Sequence, residues 1–250
     1  MSSAAFETVP LESALRPAFL AGREWLTAGY VRLRLAGPGL AGFSSPGADD
    51  HVRLFFAPHG SPAPADPDGW REFGSREYTP LNVGDDWVEF DFVVHGDGPG
   101  STWAATAPLG SLVAIGGPRR SNAVVGKPDA WFLAGDETAV PAITRFLRER
   151  DPATAARVIV EVAGENELLP IPSDPHSHIT VLVRGVDSLG DTLARLGKSD
   201  RPNGAVLGFV AAEAAVVPVA RDLLLTRWGL APEATIIKGY WRGEAAIEHR

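Results

Sequence analysis

The sequence predicts a chain of two unlike parts: a β-rich first half that forms a sandwich or a barrel, and an α/β second half around a mostly parallel sheet. Three observations carry this. EWLTAGYVRLRLAG, HVRLFFAP, WVEFDFVVH and SLVAIGGP are short apolar or alternating runs separated by Gly- and Pro-rich stretches. From Trp131 onward, strand-like WFLAG, RVIVEVAG, HITVLVRG and AVLGFVAAE alternate with helical DETAVPAITRFLRER, SLGDTLARLG and AAVVPVARDLLLTRWGL, a rhythm of parallel strands with right-handed crossovers. A length of 250 residues, 45% hydrophobic and 22% charged, suits one or two globular domains with a substantial core.

Within the first half, Val88, Phe90, Phe92 and Val94 alternate with Glu89, Asp91 and His95. That strand buries one face and turns His95 away from the core. SPAPADPDG, beginning at Ser61, reads as a flexible surface loop. The change of rhythm falls in PRRSNAVVGKPD, Pro118 to Asp129, which sets the expected domains at 1–122 and 123–250. In the second half, Asp136 can cap a helix that carries Val140, Ile143 and Leu147 inward, with Pro141 in its first turn or just beyond it, where proline is either tolerated or bends the helix. No internal repeat is found.

Composition excludes several classes. A formal net charge of −8 argues against non-specific binding to nucleic acid or anionic lipid, although local cations can still serve a small anionic ligand. The absence of cysteine removes disulfides, thiol redox chemistry, iron–sulfur clusters and cysteine-ligated zinc. MSSAAFETVPLES carries no basic segment followed by an apolar run, and no window approaches the ~20 apolar residues of a membrane span. A cytoplasmic protein without membrane insertion is expected.

The motifs need separate weighing. GPGLAG supplies G-x-G-x-x-G at Gly37, Gly39 and Gly42, but Pro38 and the following FSSPGADD deny it the helix a dinucleotide fingerprint requires, so a turn is expected. SREYTPLNV puts Arg76 and Tyr78 on one face of a strand and Thr79 on the other, with Pro80 ending the pairing. By itself it reads as an edge strand. HGDGPGSTWAATA follows a strand ending at His95 and places Gly96, Gly98 and Gly100 before a short helix beginning near Ser101 and Thr102. That arrangement is either a phosphate cradle or a serine-capped turn.

LAGDETAVPAI sets a glycine and a helix start at the end of a parallel strand, where nucleotides dock and where capped connections also occur. PHSHI places His176 and His178 on one side of an extended segment, but no further metal ligands are nominated, and no G-x-S-x-G elbow appears. IIKGYWRGE, Ile236 to Glu244, offers Lys238, Tyr240, Trp241 and Arg242 either as core and solvated charge or as a lip for a planar or anionic ligand.

Seven segments in order, HVRLFF, REYTP, VEFDFVVHGDGPGSTWA, LGSLVAIGGPRRS, FLAGDETAVPAI, AAEAA and KGYWRGE, resemble the siderophore-interacting protein family of FAD-dependent ferric-siderophore reductases, related in fold to ferredoxin–NADP reductases. The resemblance implies a Greek-key antiparallel β-barrel that binds FAD, followed by a Rossmann-like domain for NADPH or NADH. It assigns Arg76, Tyr78 and Thr79 to the R-x-Y-T flavin motif, with Thr79 at the flavin's reactive edge, and His95, Gly96, Gly98, Ser101 and Thr102 to the pyrophosphate segment. Gly135, Asp136, Glu137, Thr138 and Ala139 match the loop near the nicotinamide. Arg53, Arg119, Lys238 and Arg242 match basic positions that would attract an anionic ferric chelate at the flavin edge between the domains.

The implied activity is reduction of a ferric siderophore to Fe(II), with electrons from NAD(P)H or a reduced ferredoxin-type protein. A two-electron hydride donor is thereby matched to a one-electron metal acceptor, and Fe(II), softer than Fe(III), is held weakly by hard oxygen donors. Alternatives are a flavin reductase with another acceptor and a ferric-chelate binding protein with little turnover. Three departures stand out. Leu81 replaces the second arginine of R-x-Y-T-x-R, so Leu81→Arg is expected to tighten flavin or chelate binding. Ala212 replaces a glycine in the AAEAA segment. Gly100 stands where the family favours alanine, a change expected to be neutral. Glu161, Glu165 and Glu167 would disfavour a 2′-phosphate were they near the ribose.

Overall fold

The computed structural model describes residues 4–96, 98–167 and 169–243, so Glu244, the end of the KGYWRGE segment, lies outside the described residues. The chain divides into two units, Thr8–Asn122 and Ala123 onward. Residues 4–7, expected in the first domain, group with the second unit. The Phe6 ring packs 6.1 Å from both Trp131 and Phe146, which gives those residues their apolar partner there.

Strand β1 (Ala5–Pro10) is followed by the sheet strands β2 (Leu15–Trp25), β3 (Tyr30–Ala36), β4 (Val52–Phe56), β5 (Ser75–Tyr78), β6 (Asn82–Val83), β7 (Trp87–Val93) and β8 (Leu112–Gly116), and pairs with β9 (Arg120–Val125) in a separate ribbon. The seven-stranded sheet has the order β5-β4-β8-β2-β3-β7-β6, with antiparallel pairing throughout. Its edge strands β5 and β6 are consecutive in the chain, joined only by Thr79, Pro80 and Leu81. The expected barrel is therefore a curled half-barrel, its two edge strands joined by the chain and not by ladder hydrogen bonds. Strands β4, β5/β6 and β7 run consecutively and β8 returns beside β4, which is the Greek-key order.

The period-2 pattern of β7 holds for Val88, Phe90 and Phe92, all fully buried. Asp91, read as solvent-facing, is buried, because Arg32 on β3 grips both its oxygens at 2.7 and 2.9 Å. The stretch read as a flexible loop runs into helix α1 (Pro67–Arg71): the Asp66 carboxylate accepts from the backbone of Asp68 and Gly69, and Trp70 is buried. Helix α2 (Pro99–Thr106) follows β7, with Trp103 packed 5.3 Å from Phe56. GPGLAG forms a short turn over Pro38–Leu40, with Gly42 at φ 73° where a Cβ would be strained.

The second unit holds β10 (Ala130–Asp136), β11 (Ala155–Val162), β12 (Ser177–Val183), β13 (Val206–Glu213) and β14 (Thr235–Trp241) in the order β12-β11-β10-β13-β14, every pair parallel. Helices α3 (Val140–Glu149), α4 (Leu189–Arg195) and α5 (Val217–Arg221) supply the crossovers that follow β10, β12 and β13. Val140, Ile143 and Leu147 of α3 are buried, as their spacing requires. With the first strand central, the order reverses at β10, which places the ligand-binding end of the sheet at the carboxyl ends of β10, β11 and β13. At the opposite end, His176 and His178 line a cavity of about 410 Å³ with Arg157 and Asp200. No group of metal-ligating side chains occurs among the described residues.

Candidate functional site

In the first unit, the curl of the sheet brings β5 against α2. The Tyr78 ring lies on Phe92 with centroids 4.0 Å apart and planes 37° apart, and meets Phe56 edge-on at 6.3 Å. Tyr78 is half-buried, and desolvation pushes its hydroxyl well above the ordinary tyrosine range, so it stays protonated. Two residues earlier, Arg76 is exposed, bonds only the neighbouring Ser75 carbonyl at 2.8 Å, and makes no ion pair among the described residues. Thr79 is buried at the bend leading to β6, which keeps its hydroxyl out of bulk water.

Helix α2 opens with Gly98 as its cap, without a side chain to satisfy its first amides, and with Pro99 in the first turn. Gly96 adopts φ 57°, and neither Gly96 nor Gly98 has anything within 4 Å of where a Cβ would stand. The Thr102 side chain is exposed beside them. Ser101, expected to offer its hydroxyl to phosphate, does something else: it is buried, donating to the Val93 carbonyl and accepting from the His95 amide, both at 3.2 Å. It fastens the end of β7 to α2. Exposed His95 begins the glycine turn. The uncapped start of α2 and the exposed Thr102 hydroxyl are donors of the kind a diphosphate takes, and the Tyr78 hydroxyl reaches α2 at Gly100.

In the second unit, the segment from Gly135 to Ala139 is built inward. A Cβ at Gly135 would stand 2.4 Å from the Ala139 Cβ and 2.5 Å from the Ala211 carbonyl, so glycine is required there by packing rather than by a ligand. Asp136 accepts from the Thr138 amide at 2.9 Å, and also from the Glu213 amide at 3.0 Å and the Trp241 indole at 2.7 Å. Burial raises its pKa, against the pull of the Thr138 and Trp241 hydrogen bonds. Ala139 and Glu137 are buried as well, leaving only Thr138 half-exposed.

Arg184, just beyond β12, was not among the expected site residues. Its fork donates to both oxygens of Glu137 at 2.9 and 2.8 Å, and its Nε donates to Glu161 at 2.8 Å. Glu137 chiefly, then Glu161, hold its guanidinium protonated beyond its ordinary value. The other Glu161 oxygen takes the Leu189 amide at 2.6 Å, so this carboxylate is not an unopposed charge against a 2′-phosphate. The sequence signal was present: a cation directly after an apolar strand at the ligand end of a parallel sheet. Arg184→Ala is expected to lower unfolding stability by about 2 kcal/mol, because Glu137 keeps a buried charge and Glu161 a half-buried one without their shared cation. Urea denaturation measures it, and an unchanged midpoint would show that water replaces the guanidinium.

The four expected substrate cations differ in their surroundings. Arg53 is paired with Glu77 at 2.8 Å, both about half-exposed, so its charge is already opposed. Arg119 and Arg242 are exposed, and Lys238 is half-exposed on β14. Trp241 of the same strand, a candidate for a ligand-receiving lip, turns its indole to Asp136.

Comparison with known proteins places these features in a group. Residues 20–122 match the model described as siderophore-interacting FAD-binding domain, and 128–244 that described as siderophore-interacting protein. Ferric vibriobactin reductase ViuB of Vibrio cholerae is 28% identical over 88% of this chain and 86% of that protein. An NADPH-dependent ferric-chelate reductase of Escherichia coli is 36% identical over 50% of this chain and 52% of its own length. Among solved structures, a siderophore utilization protein from T. fusca superposes with a TM-score of 0.82, at 28% identity, covering 96% of this chain and 97% of that one. The ferredoxin reductase in carbazole 1,9a-dioxygenase, 13% identical with a TM-score of 0.66 over 92% of this chain and 70% of that one, shares the fold.

Proposed function

Because the chain belongs to the siderophore-interacting protein family, we propose that it is a FAD-dependent ferric-siderophore reductase that releases iron as Fe(II). The observation that carries this reading is the cradle of β5 and α2, which lies within the segment matching the FAD-binding domain and presents diphosphate donors beside a half-exposed aromatic ring. When bound, FAD supplies the exchange between a two-electron donor and one-electron reduction of Fe(III). Arg76 and the first amides of α2 hold the diphosphate, Thr102 adds a hydroxyl, and Tyr78 supports the ring system from a firm Phe92 backing. Ser101 keeps α2 fixed to β7 so that those amides stay aimed. Thr79 offers its hydroxyl at the reactive edge.

NADPH or NADH docks at the carboxyl ends of β10 and β13, where Asp136 and Glu137 shape the loop from within and Thr138 faces outward. A reduced ferredoxin-type protein is the alternative electron source. No helix among the described residues is long and apolar enough to cross a membrane. We assign the reaction to the cytoplasm, where nicotinamide nucleotides are available. Arg119, Lys238 and Arg242 draw in the anionic ferric chelate by charge.

The purified protein is expected to be yellow or to take up added FAD, and anaerobically to yield trapped Fe(II) from a ferric siderophore with NADH or NADPH. A colourless protein that binds no FAD overturns the reading. Flavin reduction without ferrous product would assign it another acceptor, and chelate binding with no flavin reduction by any donor would make it a carrier.

A further inference from the structure

We infer that Gly100 is a positioning residue: its missing side chain admits the Tyr78 hydroxyl against helix α2 and so fixes the depth at which the flavin-facing ring sits. The inference rests on the flavoprotein reading given above. A Cβ at Gly100 would stand 2.1 Å from the Tyr78 hydroxyl oxygen, 3.3 Å from its Cζ and 3.5 Å from Phe56 Cε2. Gly100 is buried within α2 and is not among the positive-φ glycines, so its backbone does not call for glycine. Glycine in a helix is less favourable than alanine. What it provides here is space.

The ring cannot yield inward. Phe92 covers one face at 4.0 Å and Phe56 stands edge-on at 6.3 Å. Phe56 is itself held between Trp103 at 5.3 Å and Phe92 at 6.4 Å. With alanine at position 100 the hydroxyl must withdraw by well over ~1 Å to reach ordinary contact, and the accessible direction is the half-exposed side that faces the flavin. The same residue contributes one of the amides at the start of α2, so a single glycine couples the ring-supporting and diphosphate-binding parts of the cradle. The alanine expected to be neutral from family preference is instead disruptive in this chain.

The test is a double-mutant cycle read by FAD titration and by the visible absorption and circular dichroism of the bound flavin. Gly100→Ala is expected to weaken FAD binding about tenfold, the scale of one displaced aromatic stack, and to alter the flavin bands. In a Tyr78→Phe background the hydroxyl is gone, the nearest ring atom is Cζ, and Gly100→Ala should then cost little. An equal loss in both backgrounds, or no loss in the first, overturns the inference. Should Gly100→Ala alone fail to fold, rescue by Tyr78→Phe supports it and failure to rescue overturns it. If the unaltered protein binds no FAD, the flavoprotein reading fails by itself. The near-ultraviolet circular dichroism of the Tyr78–Phe92 pair then decides the positioning claim: a change on Gly100→Ala supports it and an unchanged spectrum overturns it.

Discussion

Leu81→Arg is expected to destabilise the first unit by about 3 to 5 kcal/mol, the cost of an uncompensated buried charge, and not to improve binding. From family pattern alone the opposite was expected, since an arginine stands at this place in the R-x-Y-T-x-R motif. The structure gives Leu81 5% exposure, with its amide donating to the Glu89 carbonyl at 2.8 Å as the chain enters β6. The carboxylate of Glu89, whose carbonyl Leu81 already binds, is engaged elsewhere: it accepts from Arg34 at 2.7 Å and from Asn82 at 2.7 Å. A guanidinium at position 81 would be buried without a partner or would force the β5–β6 bend open. Thermal denaturation of the apo-protein measures the first outcome, and FAD titration detects the second as weakened binding through displaced Tyr78. A variant that melts with the unaltered protein and binds FAD more tightly would restore the family role and refute the packing argument.

What the sequence disclosed, and what it withheld, follows from the range of each interaction. The alternation of Val88, Phe90 and Phe92 and the Asp136 cap are local, set by a period of two residues or by a side chain reaching its own next turn. They were legible. The Tyr78–Gly100 contact needs β5 and α2 to meet across a curled sheet, and no spacing rule connects those positions. The clasp of Glu137, Arg184 and Glu161 joins residues at the ends of three strands, and its existence depends on the register of β10, β11 and β12. Ser101 shows the complementary error: it has the side chain a ligand would want, and that side chain is already occupied by the protein's own backbone. A motif assigns residue type to place, while the hydrogen-bond inventory of the fold decides which atoms are left for a ligand.

Asp136→Ala is expected to cost the second unit about 3 kcal/mol, because the Glu213 amide, the Trp241 indole and the Thr138 amide lose one shared acceptor in a buried setting. The side chain also spans the irregularity where β13 slips its register against β14 between Ala212 and Glu213, so the loss should loosen the end of β14 first. Its pH dependence has a definite sign. Burial raises the Asp136 pKa in the folded state above its unfolded value, so the folded protein holds a proton that the unfolded chain has released. The stability this provides is complete below the ordinary aspartate range, falls as pH rises through the raised folded value, and changes no further above it. The gap in unfolding free energy between the unaltered protein and Asp136→Ala should therefore narrow as pH rises across that window. A gap that widens with pH would mean that this hydrogen bonding outweighs desolvation and that Asp136 is held as a carboxylate from low pH upward.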